Sequence, residues 1–520
     1  MGIYLNPGNG GFERIVSGKY IDKTGLIGVI NERINTTGSL ICISRPRRFG
    51  KSYAAKMICA YYDHTCDSHA LFDGRDISRK NSYEKYINQY NVISLDMAQM
   101  IEESEGGNIV AFIKAKLIEE ISEQFPAVKI DSSFSKTLVN MVEASGRMVV
   151  MIIDEWDAPI RETPEFQDDY LKFLRSLFKS SVATAKIFAA AYMTGILPIK
   201  KDMGQSALSD FKEFTIINPG PFTEYTGFSE DEVRGLCEEY HKDFAVMKKW
   251  YDGYEFAKYG SVYNPYSVME AIESDEYSSH WRKTSAAESL ITYINMDEDG
   301  LQSDILKLLS GEHIRVNIRN FKNDFRTFTS KDDVLTLLIH LGYLSYDRST
   351  ERARIPNEEV KQEFEDMLAN PKHTKLFEQI RTSEKLLDDT LAGNEAEVAR
   401  AIERVRETNY APQYYNSEQA LRYCIKFAYI VCVDRFLRIE ELPSGRGLAD
   451  VVFIPKRDTA YPAIIIELKW DKDEEQALGQ IDEKKYAAAL EGYDGDIVKV
   501  GINYDSDKKI HSCRIEKIKR

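Results

Sequence analysis

The sequence predicts an α/β protein in three parts: a domain built on a parallel sheet over residues 1–220, a helical lid and linker region over 221–410, and a second α/β unit over 411–520. Three observations predict it. Up to about residue 220, short β-branched runs alternate with helical stretches. From there to about 410 the texture turns helical, and beyond it Val/Ile-rich runs alternate with helix patterns again. A chain of 520 residues also exceeds one ordinary core, so roughly two to four domains are expected.

LICIS (40–44), NVISLD (91–96), MVVMIID (148–154) and KIFAAAYMTG (186–195) read as strands. Their apolar runs are continuous, as in a parallel sheet covered on both faces. Helices are expected between them, at 109–125 and 170–183. The next part opens with FSEDEVRGLCEEY (228–240), where Ser229 is set to cap a helix with an acidic first turn. WYDGYEF (250–256) and VYNPYSV (262–268) read as aromatic loops, and 396–407 as the last amphipathic helix of this part. The third part reads α-β-β-α-β: a helix at 417–433, strands ADVVFIP (449–455) and AIIIELKW (463–470), a helix at 474–490 and a final strand at 496–505.

The hydrophobic fraction of 43% and charged fraction of 29% fit a soluble globular protein. No apolar run approaches the ~20 residues of a membrane span, so no membrane partner is expected. The N-terminus lacks a basic start followed by an apolar core, and Asn6 and Pro7 stand where a myristoylation site wants Ser or Thr. Seven scattered cysteines without a CxxC fit a reducing cytoplasm. Eight scattered histidines form no zinc spacing. A net charge of −15 argues against a non-specific nucleic-acid coat. It leaves room for an enzyme with a local basic track and an acidic metal site.

The stretch ISRPRRFGKSYA (43–54) ends like a phosphate loop, with Gly50, Lys51 and Ser52. Arg45 and Pro46 stand where the usual pattern begins with glycine. The context is nevertheless complete, with strand LICIS before the loop and an Ala-rich helix after it. Lys51 would reach the β- and γ-phosphates of ATP, and Ser52 would hold Mg²⁺. Pro46 donates no amide and Arg45 lacks glycine's freedom, so the amides of Phe49, Gly50, Lys51 and Ser52 are expected to cradle phosphate. Arg48 and Tyr53 complete the expected nucleotide contacts, with Arg47 or Arg48 on phosphate, DNA or a structural carboxylate. At the end of the apolar strand, Asp154 would hold Mg²⁺ through water and Glu155 would orient or deprotonate the attacking water. Thr194, at the end of another strand, would put a hydroxyl near the γ-phosphate. A GKS on a loop is common by itself, and it is the ordered combination that points to nucleotide.

A second constellation lies in GRGLADVVFIPKRDTAYPAIIIELKW. Asp450 begins one strand, and Glu467 and Lys469, two apart on the next, share a face. Carboxylates on adjacent strands suit Mg²⁺ or Mn²⁺, which would acidify a bound water and stabilise a phosphorane. Lys469 would orient that water. Acids interrupting buried runs need a partner or a metal. Gln480, Lys484 and Tyr486 on the following helix, and Glu418 on the preceding one, are accessory candidates, each equally readable as solvated helix surface.

The order SRPRRFGKS, IDEWDAPI, MTGILPIKK, FTEYTGF, WYDGYEF and VYNPYSV, preceded by YIDKTGLI, resembles the AAA-ATPase-like proteins found mostly in bacteria. GRGLAD, IIIELK and QIDEKKY resemble the PD-(D/E)XK nuclease domain usually fused to them. The resemblance implies a P-loop ATPase fold joined to a restriction-endonuclease-like domain. It also implies that Arg45 belongs to this family's usual loop. Lys51 and Ser52 match its phosphate loop, Asp154 and Glu155 its second ATPase motif, and Asp450, Glu467 and Lys469 the nuclease triad. Tyr20, Asp22 and Lys23 match a motif without a derived role.

The expectation is an ATP-regulated, Mg²⁺-dependent nuclease, with DNA ahead of RNA as substrate. The alternative is a nucleotide-switched binding or signalling protein with an inactive nuclease fold. A plain ATPase motor would want a homo-oligomer and an arginine finger, for which Arg47, Arg48 and Arg161 are the candidates.

Overall fold

The computed structural model describes residues 2–519 apart from 180, 200–207, 257–258, 282–299, 310, 322–329, 369–373, 410–414, 416, 430–431, 433–435, 445–446, 456–460, 473, 475–476, 478–492 and 494. The chain forms two compact units, Met1–Arg282 with Arg315–Gln362, and Lys283–Ile314 with Glu363–Arg520. The fold class is α/β, as the sequence predicts.

The first unit is organised by strands β1 (Leu40–Ser44), β2 (Asn91–Asp96), β3 (Val149–Asp154), β4 (Phe188–Gly195) and β5 (Lys212–Phe214). They pair in parallel in the order β2-β3-β4-β1-β5. Every residue of β1, β3 and β4 is buried, which is why their apolar runs are unbroken. Two hydrophobic clusters cover the two faces, one with Leu95, Met151 and Met193, the other with Ile43, Ile152 and Tyr192. Strand β4 lies between β1 and β3. Ile43 is paired with Thr194 and Ile153 with Met193, so the C-terminal ends of all three strands meet at one edge.

The expected helix at 170–183 is instead Gln167–Phe178, followed by a separate helix Ser181–Ile187 that leads into β4. β5 escaped the sequence reading because it is a three-residue edge strand, Lys-Glu-Phe, with no apolar run.

Helix Glu230–Glu239 starts where Ser229 predicts. The Ser229 hydroxyl accepts the Glu232 amide at 3.3 Å and the Glu232 carboxylate accepts the Ser229 amide at 2.8 Å. The two aromatic loops need correction. Tyr254–Phe256 and Gly260–Tyr263 pair antiparallel and, with Phe228–Ser229, form a three-stranded sheet. Asn264 then caps helix Pro265–Ser274, accepting the Tyr266 amide at 3.0 Å, with Pro265 opening the helix. The strands are only two to four residues long, too short for a periodic signal beside Gly253 and Gly260.

In the second unit, helices Thr374–Ala392, Glu395–Asn409 and Glu418–Ala428 accompany a five-stranded sheet. Its strands are β6 (Phe436–Ser444), β7 (Gly447–Pro455), β8 (Ala463–Trp470), β9 (Ile497–Asp505) and β10 (Ile510–Ile518), in that order. Only β8 and β9 pair in parallel, which requires a crossover between them. The α-β-β-α-β reading therefore lacked both edge strands, and 496–505 is not the last strand. FLRIEELPS and IHSCRIEKI each interleave charge with apolar residues, as a half-covered edge does. The expected helix at 474–490 lies outside the described residues apart from positions 474 and 477. Among the described residues no helix is long and apolar enough to cross a membrane.

Candidate nucleotide and nuclease sites

Gly50, with φ 80° and ψ 12°, turns the chain from the loop into helix Lys51–Tyr62. That left-handed conformation carries no penalty for glycine. Lys51 is buried, and its ammonium donates to the carbonyls of Arg45 at 3.0 Å and Pro46 at 2.7 Å. Burial pulls its pKa down to about 8, although Asp154, Glu155 and Asp157 act to hold the charge. Ser52 and Tyr53 are exposed at the head of the helix.

Across the sheet edge, the Thr194 hydroxyl donates to Asp154 Oδ1, and the Glu155 amide donates to the same oxygen at 3.1 Å. Asp154 and Thr194 are both buried. Glu155 adopts φ 50°, an uncommon conformation for a residue with a Cβ. Burial raises its carboxyl pKa, against the pull of Arg161 and Lys51. The chain thus sets one ammonium, a buried Asp–Thr pair and a desolvated Glu along one edge.

Arg161 bridges Glu155 at 3.4 Å, Asp157 at 3.2 Å and Glu162 at 3.1 Å, all in its own chain. Asp157 in turn accepts the Leu197 amide at 3.0 Å. Arg45 is buried. Its Nε donates to Thr226 Oγ1 at 3.0 Å, and Nη1 to the carbonyls of Ser44 at 3.0 Å and Phe214 at 2.9 Å. Arg48 donates to the His280 carbonyl and lies 4.3 Å over the Tyr266 ring. Phe49 is buried, and Arg47 is exposed.

In the second unit, Asp450 is the fourth residue of β7 rather than its first. β7 pairs antiparallel with β8, Val451 opposite Ile466. Asp450 and Glu467 are the sequence neighbours of that pair. Glu467 and Lys469 are buried on β8, their charges 3.3 Å apart, and Lys469 also donates to the Leu468 carbonyl at 3.1 Å. Gly501 of β9 lies opposite Glu467, leaving that flank without a side chain.

Residues 8–203 match the family model described as predicted AAA-ATPase. Residues 423–513 match the PD-(D/E)XK nuclease superfamily. The chain joins a predicted AAA-ATPase domain to a PD-(D/E)XK nuclease superfamily domain. Among solved structures, the ORC2 protein of Aeropyrum pernix in ADPNP–ADP complexes aligns with 67% of this chain and 96% of its own, at 12% identity and a TM-score of 0.32. The replication initiator DnaA bound to AMPPCP and single-stranded DNA covers 71% of this chain and 97% of its own, at 11% identity and a TM-score of 0.27. Likeness at that level carries no functional argument. No curated protein matches the chain.

Within the AAA-ATPase domain, Tyr20, Asp22 and Lys23 brace the protein. The Tyr20 hydroxyl donates to Met57 of the phosphate-loop helix at 3.4 Å, Asp22 accepts the Thr24 and Asp76 amides, each at 2.9 Å, and Lys23 binds Glu232 at 2.6 Å. Asp96 was missed by the sequence reading. It lies beside Asp154 in register, at the end of β2, and caps the next helix by accepting the Ala98 and Gln99 amides. Burial raises its carboxyl pKa. The apolar strand ending in Asp was the available signal, the same one that identified Asp154.

In the nuclease superfamily domain, Gln480, Lys484 and Tyr486 lie outside the described residues, as does the side chain of Asp450. Glu418 is exposed in the first turn of its helix. Among the described residues no group of three or more His, Cys, Asp or Glu is gathered for a metal ion.

Proposed function

We propose that this chain is an ATP-regulated, Mg²⁺-dependent nuclease that cuts phosphodiester bonds, with DNA as the preferred substrate. Its working parts are the ATPase core at 1–220, the lid and linker at 221–410 and the nuclease domain at 411–520. The observation that carries the nucleotide half is Lys51. It is a buried ammonium that donates to the loop carbonyls of Arg45 and Pro46, and a phosphate oxygen would give it a charge-assisted bond in their place.

The amides of Phe49–Ser52 cradle the phosphates, with Arg48 and Tyr53 completing the nucleotide contacts. Ser52 and Asp154 would hold Mg²⁺. Thr194 fixes the Asp154 carboxylate through its hydroxyl. Glu155, its carboxyl pKa raised by burial, is suited to take a proton from the attacking water.

In the nuclease domain, Asp450 and Glu467 would hold Mg²⁺ or Mn²⁺. The fit rests on their places beside the Val451–Ile466 pair of adjacent strands and on Glu467, a buried carboxylate with oxygen-only chemistry. Bound there, the ion would acidify a water and stabilise developing phosphorane charge. Lys469 positions the water and adds positive charge.

The test is a nuclease assay on DNA and RNA, with and without ATP. Wild type should cleave DNA in response to ATP. Glu467→Ala should abolish cleavage, and Lys51→Ala should remove the response to ATP. Cleavage unaffected by either substitution would overturn the proposal. ATP binding with no cleavage and no Mn²⁺ uptake would identify a nucleotide-switched binding protein instead.

A further inference from the structure

The phosphate loop is seated on the edge strand β5 and on segments that follow the parallel sheet in sequence. Arg45 is tied to Thr226 and the Phe214 carbonyl. The Phe49 carbonyl accepts the Gly227 amide at 3.2 Å. The Phe49 ring stands edge-on to Tyr254, 5.2 Å between centroids, and the Tyr254 hydroxyl donates to the Gly342 carbonyl at 2.5 Å.

Gly342 ends helix Lys331–Leu341 with φ +91°. A Cβ added there would lie 2.7 Å from Pro46 Cβ, 2.9 Å from Pro46 Cγ and 3.3 Å from the Trp281 ring. The pyrrolidine and the indole cannot bend away as a flexible side chain would. Pro46 therefore rests on a residue almost three hundred positions later in the chain.

The carbonyls of Arg45 and Pro46 are also those that hold Lys51. The seat therefore sets where the loop's carbonyls, and with them the Lys51 ammonium, are placed. We propose that Gly342 and Tyr254 are positioning residues for nucleotide binding, so that displacing the seat weakens ATP binding without touching a nucleotide contact. By linkage, ATP favours the seated arrangement to the same degree. The inference rests on the reading of Lys51 as a phosphate ligand.

The test compares Gly342→Ala with Gly260→Ala in the full chain, by equilibrium ATP binding and by thermal unfolding without nucleotide. Gly260 is a matched control: its φ is +73° and nothing lies within 4 Å of an added Cβ. Both variants pay the left-handed backbone strain, and only Gly342→Ala strikes the loop. Gly342→Ala is expected to bind ATP roughly tenfold more weakly, a coupling of ordinary size. Gly260→Ala should bind as wild type does, despite losing thermal stability.

Tyr254→Phe, which removes one hydroxyl, should weaken binding roughly threefold, and it decides the matter if Gly342→Ala fails to fold. ATP affinities for Gly342→Ala and Tyr254→Phe equal to wild type would overturn the seat. A wild-type chain that binds no ATP would overturn the nucleotide reading beneath it.

Discussion

If Lys51 is the phosphate ligand proposed above, ATP binding should titrate with it. Burial lowers its pKa from 10.5 to about 8 in the nucleotide-free protein. The phosphates require the charged ammonium, so binding should be strongest well below pH 8 and must increasingly recharge the lysine as pH rises through it. With a pKa near 8, about nine-tenths of the molecules carry the charge at pH 7 and about one-tenth at pH 9. The dissociation constant should therefore rise roughly tenfold between those pH values, approaching a factor of ten per pH unit beyond. A lysine left at 10.5 would give a flat profile over the same range.

Phosphate's own last ionisation lies near pH ~6, so it contributes little in this window. The assay is equilibrium ATP binding at fixed Mg²⁺ and ionic strength from pH 7 to 9.5. Lys51→Arg supplies the control, because a guanidinium stays charged throughout. It should bind more weakly, with no dependence on pH. A flat wild-type profile to pH 9, or the same slope in Lys51→Arg, would refute the reasoning.

Three further outcomes follow from the described contacts. Thr194→Val keeps the shape but removes the donor to a buried carboxylate. ATP turnover should fall roughly tenfold while affinity changes less than about twofold, because bonds to charged groups are worth ~1.5–3 kcal/mol. Glu467→Gln should abolish Mn²⁺ uptake by calorimetry and lower cleavage roughly a hundredfold, while ATP binding to Lys51 is unchanged. Glu120 accepts the amides of Ile3 at 2.7 Å, Tyr4 at 3.1 Å and Leu5 at 2.6 Å. Glu120→Ala should lower unfolding stability by ~2–3 kcal/mol, with hydrogen-exchange protection lost first at residues 3–5.

What could be read from the sequence follows burial. β1, β3 and β4 are covered on both faces, so composition alone marks them and their acid or hydroxyl ends. The outer strands β5 and β10 are partly exposed, and their sequences carry the charge of the open side; β6 likewise interleaves charged and apolar residues. The capping box at Ser229 was legible because it is a local exchange between two residues three apart. The partners of Arg45 and Pro46 were not, because Thr226 and Gly342 are distant in sequence and leave no spacing to count. Asp450 was placed at a strand start because Gly447 and Leu448 do not mark a strand on their own. Pairing with β6, itself unseen, extends β7 over them.

The three arginines of the loop separate by what surrounds them. A buried guanidinium is tolerated only where acceptors converge on it. Arg45 has three such bonds, and its pKa is nevertheless pulled down to about 10 by burial. That cost is reasonable for a fixed strut and wasteful for a ligand that must first be freed. Arg48 is held more loosely, by one carbonyl and the face of Tyr266. Arg47 is exposed, and its charge already acts on Lys51, lowering the lysine's pKa. An arriving phosphate would relieve that repulsion by neutralising both cations together. Arg45, which departs from the usual phosphate motif, is thus explained by the loop's anchorage, and Arg47 is the exposed cation of the three.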